Sequence, residues 1–321
     1  MIGAVVIGRN EGQRLISCLD SLVKHIDYII YVDSGSTDDS LHESESRNIE
    51  CLSLDMSIPF TAARARNEGA NYLIHKYSDL QFIQFIDGDC EIQPDWISKA
   101  QEFLEKHNQY AVVCGRRRER YPENSVYNQL CDIEWDTPVG DARACGGDAL
   151  IRLEAFKQVV GYRDDLIAGE EPEMCFRLRA EGWKIYRLDA EMTLHDAAIS
   201  KIFQWWKRTV RTGYAFSLGA SIHYKSQEGY RVKEVCRIIL WGILCPLFIA
   251  ILSIYNFIYL NLFFIYLIQV IRVGVSRPDL DNIKFKWATS VVLGKVPEAV
   301  GLISFVRDVF CRRRARIIEY K

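Results

Sequence analysis

Phe82-Ile83-Gln84-Phe85-Ile86-Asp87-Gly88-Asp89 is the stretch that decides the fold. Its first five residues read as a buried strand, and two carboxylates flanking a glycine form the turn that ends it. A strand ending in this way presents acidic oxygens at the carboxyl edge of a sheet, where open α/β folds place their ligands. Hard divalent cations choose such oxygens, and a bound cation can in turn hold a diphosphate.

Working outward, Ile29-Ile30-Tyr31-Val32 reads as a second buried strand that runs into Asp33-Ser34-Gly35-Ser36-Thr37-Asp38-Asp39-Ser40. An acid again stands at a strand end, followed by a tight turn and residues suited to capping a helix. A first strand, Ile2 to Ile7, passes into Arg9-Asn10-Glu11-Gly12. Three strand ends therefore deliver polar groups to one edge. Apolar runs recur at 2–7, 28–32, 49–54, 82–86 and 110–114, with helical spacing between them at Leu15, Leu19, Leu22 and over Ala62 to Ile74. This alternation predicts an α/β fold with a mainly parallel sheet covered on both faces. A further helix is expected from Pro94 to Lys106, with Trp96, Ile97, Ala100, Phe103 and Leu104 on its apolar face.

These motifs resemble the family 2 glycosyltransferases of GT-A fold. The residues that carry the resemblance are, in order, Asn10-Glu11, Asp33 to Asp38, Ala65-Arg66-Asn67, Asp87 to Asp89, Gly146-Gly147-Asp148, and Gly169-Glu170-Glu171 through Arg177-Leu178-Arg179-Ala180-Glu181-Gly182-Trp183. They cover about the first two-thirds of the chain. The resemblance implies a Rossmann-like nucleotide-sugar domain, an inverting transfer, and Mn²⁺ or Mg²⁺ as cofactor.

It also implies roles. Asp89 is the expected first metal ligand, with Asp87 reaching the ribose or a metal-bound water. His195 either joins the metal or diphosphate or is a packed histidine; an imidazole beside carboxylates would bias the site toward Mn²⁺. Asp33 accepts hydrogen bonds from the base or the ribose. Arg66 is the complementary cation, while Arg64 is either a second contact or a surface residue. Asn10, Glu11, Gly147 and Asp148 complete the nucleotide-sugar pocket, unless Glu11 is only a first-turn helix acid. The base is expected at Glu171, where the family more often has aspartate. Pro172 suits a first helical turn, whose N–H groups would favour an ionised carboxylate. Glu170 would then face the acceptor or an arginine, or serve only as a helix-start acid.

The 321 residues hold one large domain plus an appendage, and 49% hydrophobic with 26% charged residues is ordinary for a globular chain. A formal net charge of -2 leaves no nucleic-acid footprint. Ten scattered cysteines without Cys-x-x-Cys suggest reduced, mostly buried thiols rather than a zinc site or disulfide framework. The first residues enter a strand at once, so no signal peptide is expected.

From Ile238 to Ile271 no side chain is charged. One straight helix of that length would be about 50 Å long, against a hydrocarbon core of about 30 Å. Arg231, Lys233 and Arg237 precede the run, and Arg272, Arg277, Lys284 and Lys286 follow it, so both flanks prefer the cytoplasmic side. A helical hairpin broken near Tyr255-Asn256, fully spanning or re-entrant, satisfies both facts. The alternative is a buried core or the interface of a homo-oligomer. The apolar but charge-interrupted stretch 285–310 is expected to form helices on the membrane surface or against the catalytic domain. Arg312-Arg313-Arg314 and Arg316 add a basic tail, suited to anionic headgroups or merely solvated. After His195, Ile199, Phe203, Trp206, Val210 and Tyr214 form an apolar helical stripe beside Lys201, Gln204, Arg208 and Arg211. Family resemblance suggests that Trp206, Arg208 and Arg211 meet an acceptor or lipid-linked phosphate.

The expected organisation is therefore a catalytic domain over 1–225 and a helical membrane-associated region over 226–321. Its partners would be a nucleotide-sugar donor, a UDP-sugar being favoured, a lipid-linked or nascent saccharide acceptor, and the cytoplasmic membrane face. Two alternatives compete: a synthase that charges polyprenyl phosphate with one sugar, and an inactive membrane scaffold that retains the nucleotide fold. The intact acidic motifs argue against the scaffold.

Overall fold

The structure, a computed structural model, describes residues 1–313, so Arg314 and Arg316 of the basic tail lie outside the described residues. Two compact units divide the chain, Met1–Ala198 and Ile199–Lys321. The boundary falls ahead of residue 225 because the aromatic and basic helix packs along the C-terminal helices and groups with them.

The first unit is a GT-A α/β fold. Its strands are β1 (Ile2–Gly8), β2 (Tyr28–Asp33), β3 (Glu50–Ser53), β4 (Phe82–Asp87), β5 (Cys90–Ile92), β6 (Tyr110–Glu119), β7 (Gly140–Ala142), β8 (Ala149–Arg152) and β9 (Lys184–His195). They form one sheet in the order β3-β2-β1-β4-β8-β6-β9-β5, with β7 added beside β9. The first four strands pair in parallel, β8 runs antiparallel to β4 and β6, and β6 and β9 are parallel. Each parallel crossover carries a helix: α1 (Gln13–Leu22), α2 (Ser40–Glu45) and α3 (Ala62–Lys76). Between β5 and β9 come α4 (Trp96–Lys106), α5 (Val126–Trp135), α6 (Leu153–Gln158) and α7 (Glu170–Ala180). The central strands are buried on both faces, with Val5, Ile30, Ile83 and Phe85 fully enclosed, as a sheet covered by helices requires.

Register brings the motif residues together. Gly8 pairs with Asp33, and Ile7 pairs with Asp87, so the ends of β1, β2 and β4 form one edge. Two boundaries differ from the sequence reading. Pro94 lies in the turn before α4, which begins at Trp96. Strand β6 extends five residues beyond the apolar run, to Glu119. The arginines in that extension are tolerated because each meets a carboxylate: Arg116 with Asp132 at 3.1 Å, Arg117 with Asp148 at 2.7 Å, and Arg118 with Glu191 at 2.8 Å.

The second unit is helical: α8 (Ile202–His223), α9 (Val232–Ile238), α10 (Cys245–Tyr255), α11 (Phe264–Val275), α12 (Lys284–Leu293) and α13 (Lys295–Phe310). Gly213 of α8 lies against the backbone of Glu298 in α13, where a Cβ would come within 2.0 Å of a carbonyl oxygen. Helix α9 continues through a π-helical stretch, 239–244, into α10. The break falls at Asn256, whose side chain accepts the Ile258 N–H at 3.0 Å and starts the next helical turn. Among the described residues, three helical stretches are long and apolar enough to cross a membrane: Val232–Tyr255, Phe257–Val275 and Pro278–Phe310. The first two are the arms expected of the hairpin. The third includes the stretch read as surface helices. Of its charges, Lys295 and Glu298 are mostly enclosed and paired at 2.6 Å.

Candidate active site

Arg66 organises the site. Helix α3 starts at Thr61, whose side chain accepts the Arg64 N–H at 3.0 Å, and this cap fixes the turn that directs Arg66 into the unit. Arg64 stays at the surface, donating to the carbonyls of Asp55 and Ile58. Arg66 is 2% exposed, with Asp87 at 2.7 Å, Glu170 at 2.8 Å and Glu171 at 3.1 Å. Three carboxylates thus share one guanidinium. Burial would lower the Arg66 pKa, but Glu171, Asp87 and Glu170 hold it well above its ordinary value.

Gly169, in the left-handed region at φ 78°, opens α7 and sets Glu170 and Glu171 in its first turn. The helix terminus is not the strongest influence on Glu171. Burial and the neighbouring Glu170 charge push Glu171 up to about 7, although Arg66 pulls it down. Desolvation outweighs the helix terminus here.

Asp87 has a different environment. Burial would raise its carboxyl, but Arg66 and Arg117 bring it below the ordinary range. Its backbone N–H donates to Asp148 Oδ1 at 3.1 Å. Asp148 is fully enclosed, and its other oxygen accepts from Arg117 and from Thr193 Oγ1 at 2.7 Å. It therefore braces the end of β4, and with Asp87 and Cys90 it also forms a group that could hold a cation. Gly147 adjoins the same cluster. A Cβ there would lie 2.6 Å from Arg66 Nη2, 2.8 Å from Asp87 Oδ2 and 3.1 Å from Glu171 Oε1.

Asp89 and His195 make a second cluster. Strands β5 and β9 pair Cys90 with His195, which brings His195 Nε2 within 3.3 Å of Asp89 Oδ1. Both side chains are almost wholly buried. Burial would lower the His195 pKa, but Asp89 raises it above its ordinary value. A carboxylate oxygen and an imidazole nitrogen at this spacing can ligate one cation. Cys90 Sγ stands close to both, although burial holds that thiol well above its ordinary pKa.

The loops that follow β1 and β2 are tied to each other. Asp33 accepts from Tyr31 Oη at 3.1 Å and from the N–H groups of Gly35 and Ser36 at 3.0 and 2.9 Å. Asn10 Oδ1 accepts the Thr37 N–H at 2.7 Å, while the Asn10 N–H donates to Ser36. Glu11 pairs with Arg14 at 2.7 Å but lies ahead of α1, whose first turn holds no acid. Trp206, Arg208 and Arg211 lie on α8 in the second unit, each half-buried.

Three residues of the first unit escaped the sequence reading: Arg117, Glu119 and Trp135. Arg117 bridges Asp148 and Asp87 and stacks on Trp135, whose ring also meets His195 edge-on at 4.7 Å. The signal available was the run Arg116-Arg117-Arg118-Glu119 continuing an apolar strand, a place where charge must be paired.

Residues 4–158 match the Glycosyl transferase family 2 domain. The match ends before α7 and β9, so Glu170, Glu171 and His195 lie beyond it. No curated protein sequence matches the chain. Among solved structures, the mannosyltransferase PcManGT from Pyrobaculum calidifontis, in complex with GDP-Man and Mn²⁺, is similar at 14% identity with a TM-score of 0.62. The alignment covers 94% of this chain and 86% of that one. TarS from S. aureus is similar at 12% identity and a TM-score of 0.55, covering 94% of this chain but only 55% of TarS. Its 1–349 form gives 13% identity, a TM-score of 0.52, and coverage of 98% and 92%.

Proposed function

We propose, on the premise of a family 2 glycosyltransferase domain at residues 4–158, that the protein moves a sugar from a nucleotide-sugar donor to a lipid-linked or nascent saccharide acceptor. Transfer proceeds with inversion and with Mn²⁺ or Mg²⁺, at the cytoplasmic face of a membrane, in the synthesis of a surface polysaccharide. The observation that carries this reading is the buried Arg66 guanidinium shared by Glu171 and Asp87 of the acidic turn, with burial and the Glu170 charge pushing the Glu171 carboxyl up to about 7. A general base works best when its pKa lies close to the working pH.

In this reading Glu171 takes the proton from the acceptor hydroxyl as that oxygen attacks the anomeric carbon from the side opposite the diphosphate. One displacement of this kind inverts the centre. Arg66 holds Glu171 and Asp87 in fixed relation, and Arg117 with Asp148 braces the turn from β4. Asp33 and Asn10 shape the nucleoside pocket through the two loops they tie. Asp89 and His195 would hold the divalent cation, which neutralises charge growing on the leaving diphosphate. The mannosyltransferase of similar fold carries GDP-Man with Mn²⁺, which agrees with a metal-bound nucleotide sugar while leaving UDP- and GDP-sugars both to be tried.

On α8, Trp206, Arg208 and Arg211 are suited to a lipid-linked phosphate, the arginines as donors and the indole as an interfacial anchor. The deciding experiment incubates purified protein with UDP- and GDP-sugars, Mn²⁺, and either polyprenyl phosphate or a lipid-linked saccharide. The anomeric configuration of the product is then read by NMR. Transfer to the saccharide with inversion supports the proposal. Transfer to polyprenyl phosphate alone identifies a lipid-phosphate synthase, and inertness with every donor, without even hydrolysis, favours the inactive scaffold.

A further inference from the structure

Glu119 is a carboxylate enclosed completely beneath the candidate metal site. Parallel pairing of β6 with β9 sets it opposite His195, so the strand register itself carries it there. Three N–H donors fix its orientation. The Tyr121 N–H and Asn128 Nδ2 donate to Oε1, each at 3.1 Å, and the Ala197 N–H donates to Oε2 at 3.0 Å. Asn128 is itself placed by α5, whose N-cap Ser125 accepts the Asn128 N–H at 3.0 Å.

His195 supplies the complementary observation. Its Nδ1 is buried without a hydrogen-bond partner, and the nearest anionic oxygen is Glu119 Oε2 at 4.0 Å. The opposite nitrogen, Nε2, faces Asp89. The edge of Trp135 bounds the ring on a third side. A buried polar atom aimed at a buried carboxylate, just outside hydrogen-bond range, needs only a small ring movement to engage it.

We propose that Glu119 is a positioning residue for the metal site: it accepts a hydrogen bond from the His195 Nδ1–H, so that the Nε2 lone pair is presented, beside Asp89, to a divalent cation. The inference rests on the reading of Asp89 and His195 as ligands and adds the group that orients the imidazole. A ligating histidine takes its tautomer from the bond made by its other nitrogen. Asp89 alone would favour the opposite tautomer, with Nε2 protonated and unable to ligate. Glu119 removes that competition. Its extent of burial and its three N–H donors make it a fixed reference, which a surface carboxylate or a water molecule would not provide.

The test uses full-length protein in detergent with a nucleoside diphosphate and Mn²⁺, read by EPR. Wild type should bind one Mn²⁺ with hyperfine coupling to an imidazole nitrogen, and His195→Ala should lose that coupling. Glu119→Gln should weaken Mn²⁺ binding by about 10–100-fold and diminish the coupling, while thermal unfolding and metal-free nucleotide binding stay near wild type. Glu119→Asp should recover part of the affinity. Unchanged affinity and coupling in Glu119→Gln would overturn the proposal. Absence of imidazole coupling in wild type would instead remove His195 as a ligand, and the positioning role with it. Should Glu119→Gln fail to fold, ¹⁵N-histidine NMR of Mg²⁺-loaded wild type decides. Protonation of His195 at Nδ1 supports the proposal, and protonation at Nε2 overturns it.

Discussion

Arg66 Nη1 and Glu171 Oε1 lie 3.1 Å apart, yet the Glu171 carboxyl titrates near 7. One guanidinium divided among three carboxylates does not offset burial and the repulsion of Glu170 and Asp87. If Glu171 is the base, log kcat/KM should rise by about one unit per pH unit below pH 7 and level off above it. Stability runs the other way. A carboxyl whose folded pKa is raised contributes most at low pH and loses that contribution as pH rises through about 7. Glu171→Gln should therefore raise Tm at pH 8 relative to wild type, with the difference shrinking toward pH 5, while transfer falls by roughly 10²-fold or more. A flat pH-rate profile, or inactivity of Glu170→Gln with a normal Glu171→Gln, would reverse the assignment.

Gly147 makes a steric prediction. The missing Cβ would sit inside contact distance of Arg66, Asp87 and Glu171 together, so Gly147→Ala must displace the Arg66 cluster. Overpacking of this kind costs about 1–3 kcal/mol, and kcat should fall much further than donor affinity. Neighbouring Gly146 meets nothing within 4 Å of the corresponding position. Gly146→Ala is therefore the matched control, expected to retain near-normal Tm and kcat.

The contrast between those two glycines shows where sequence reading stops. Asp33, Asp87 and Asp89 were legible because strand ends declare themselves: an apolar run of period fit for burial, then a turn carrying acids. The break at Asn256 was legible from uncharged length alone. Pairing between distant strands was not. Nothing local to Glu119 says that β6 will lie beside β9, and nothing local to Asp148 says that its carboxylate will be spent on Arg117 and Thr193. The charge run Arg116 to Glu119 reads as the end of a strand because its partners are supplied by other elements. The environment of Glu171 is hidden in the sequence for the same reason. A helix terminus is visible in sequence, whereas the degree of desolvation is set by how the chain closes over it.

Arg117 and Asp148 form the buried ion pair on which this closure depends, 2.7 Å apart with Asp148 wholly enclosed. Arg117→Met should destabilise the protein by about 3–5 kcal/mol, because an uncompensated carboxylate remains inside. The double variant Arg117→Met with Asp148→Asn should recover much of the loss in urea unfolding of the folded unit. No recovery would mean that Arg117 contributes mainly through its stacking on Trp135 and its contact with Asp87.

Chelation tests the acidic turn. EDTA should abolish transfer and Mn²⁺ or Mg²⁺ should restore it, and Asp89→Asn should need at least tenfold more metal for half-maximal rate. Asp33→Asn, which leaves Asp89 and His195 untouched, should weaken donor binding without shifting the metal requirement. Full activity of Asp89→Asn in chelator would sink the ligand assignment.

The helical unit poses a question of parity. Val232–Tyr255 and Phe257–Val275 are both long and apolar enough to cross a bilayer, and so is Pro278–Phe310. Basic residues flank the first two on their outer ends, Arg231, Lys233 and Arg237 before and Arg272 and Arg277 after, which favours a hairpin entering and leaving from the cytoplasm. The third stretch carries Lys284, Lys286, Lys295, Glu298, Arg307 and Asp308. Most of these would be costly at the bilayer centre even with Lys295 and Glu298 paired. Gly213 of α8 packing onto the Glu298 backbone also ties α13 to a helix that is not itself a candidate span. The expected arrangement is two crossings with α12 and α13 at the interface, so the protein should resist carbonate extraction, and reporters fused at residue 1 and residue 321 should both read cytoplasmic. A carboxyl-terminal reporter on the far side would establish three crossings, and α13 would then carry the Lys295–Glu298 pair within the membrane.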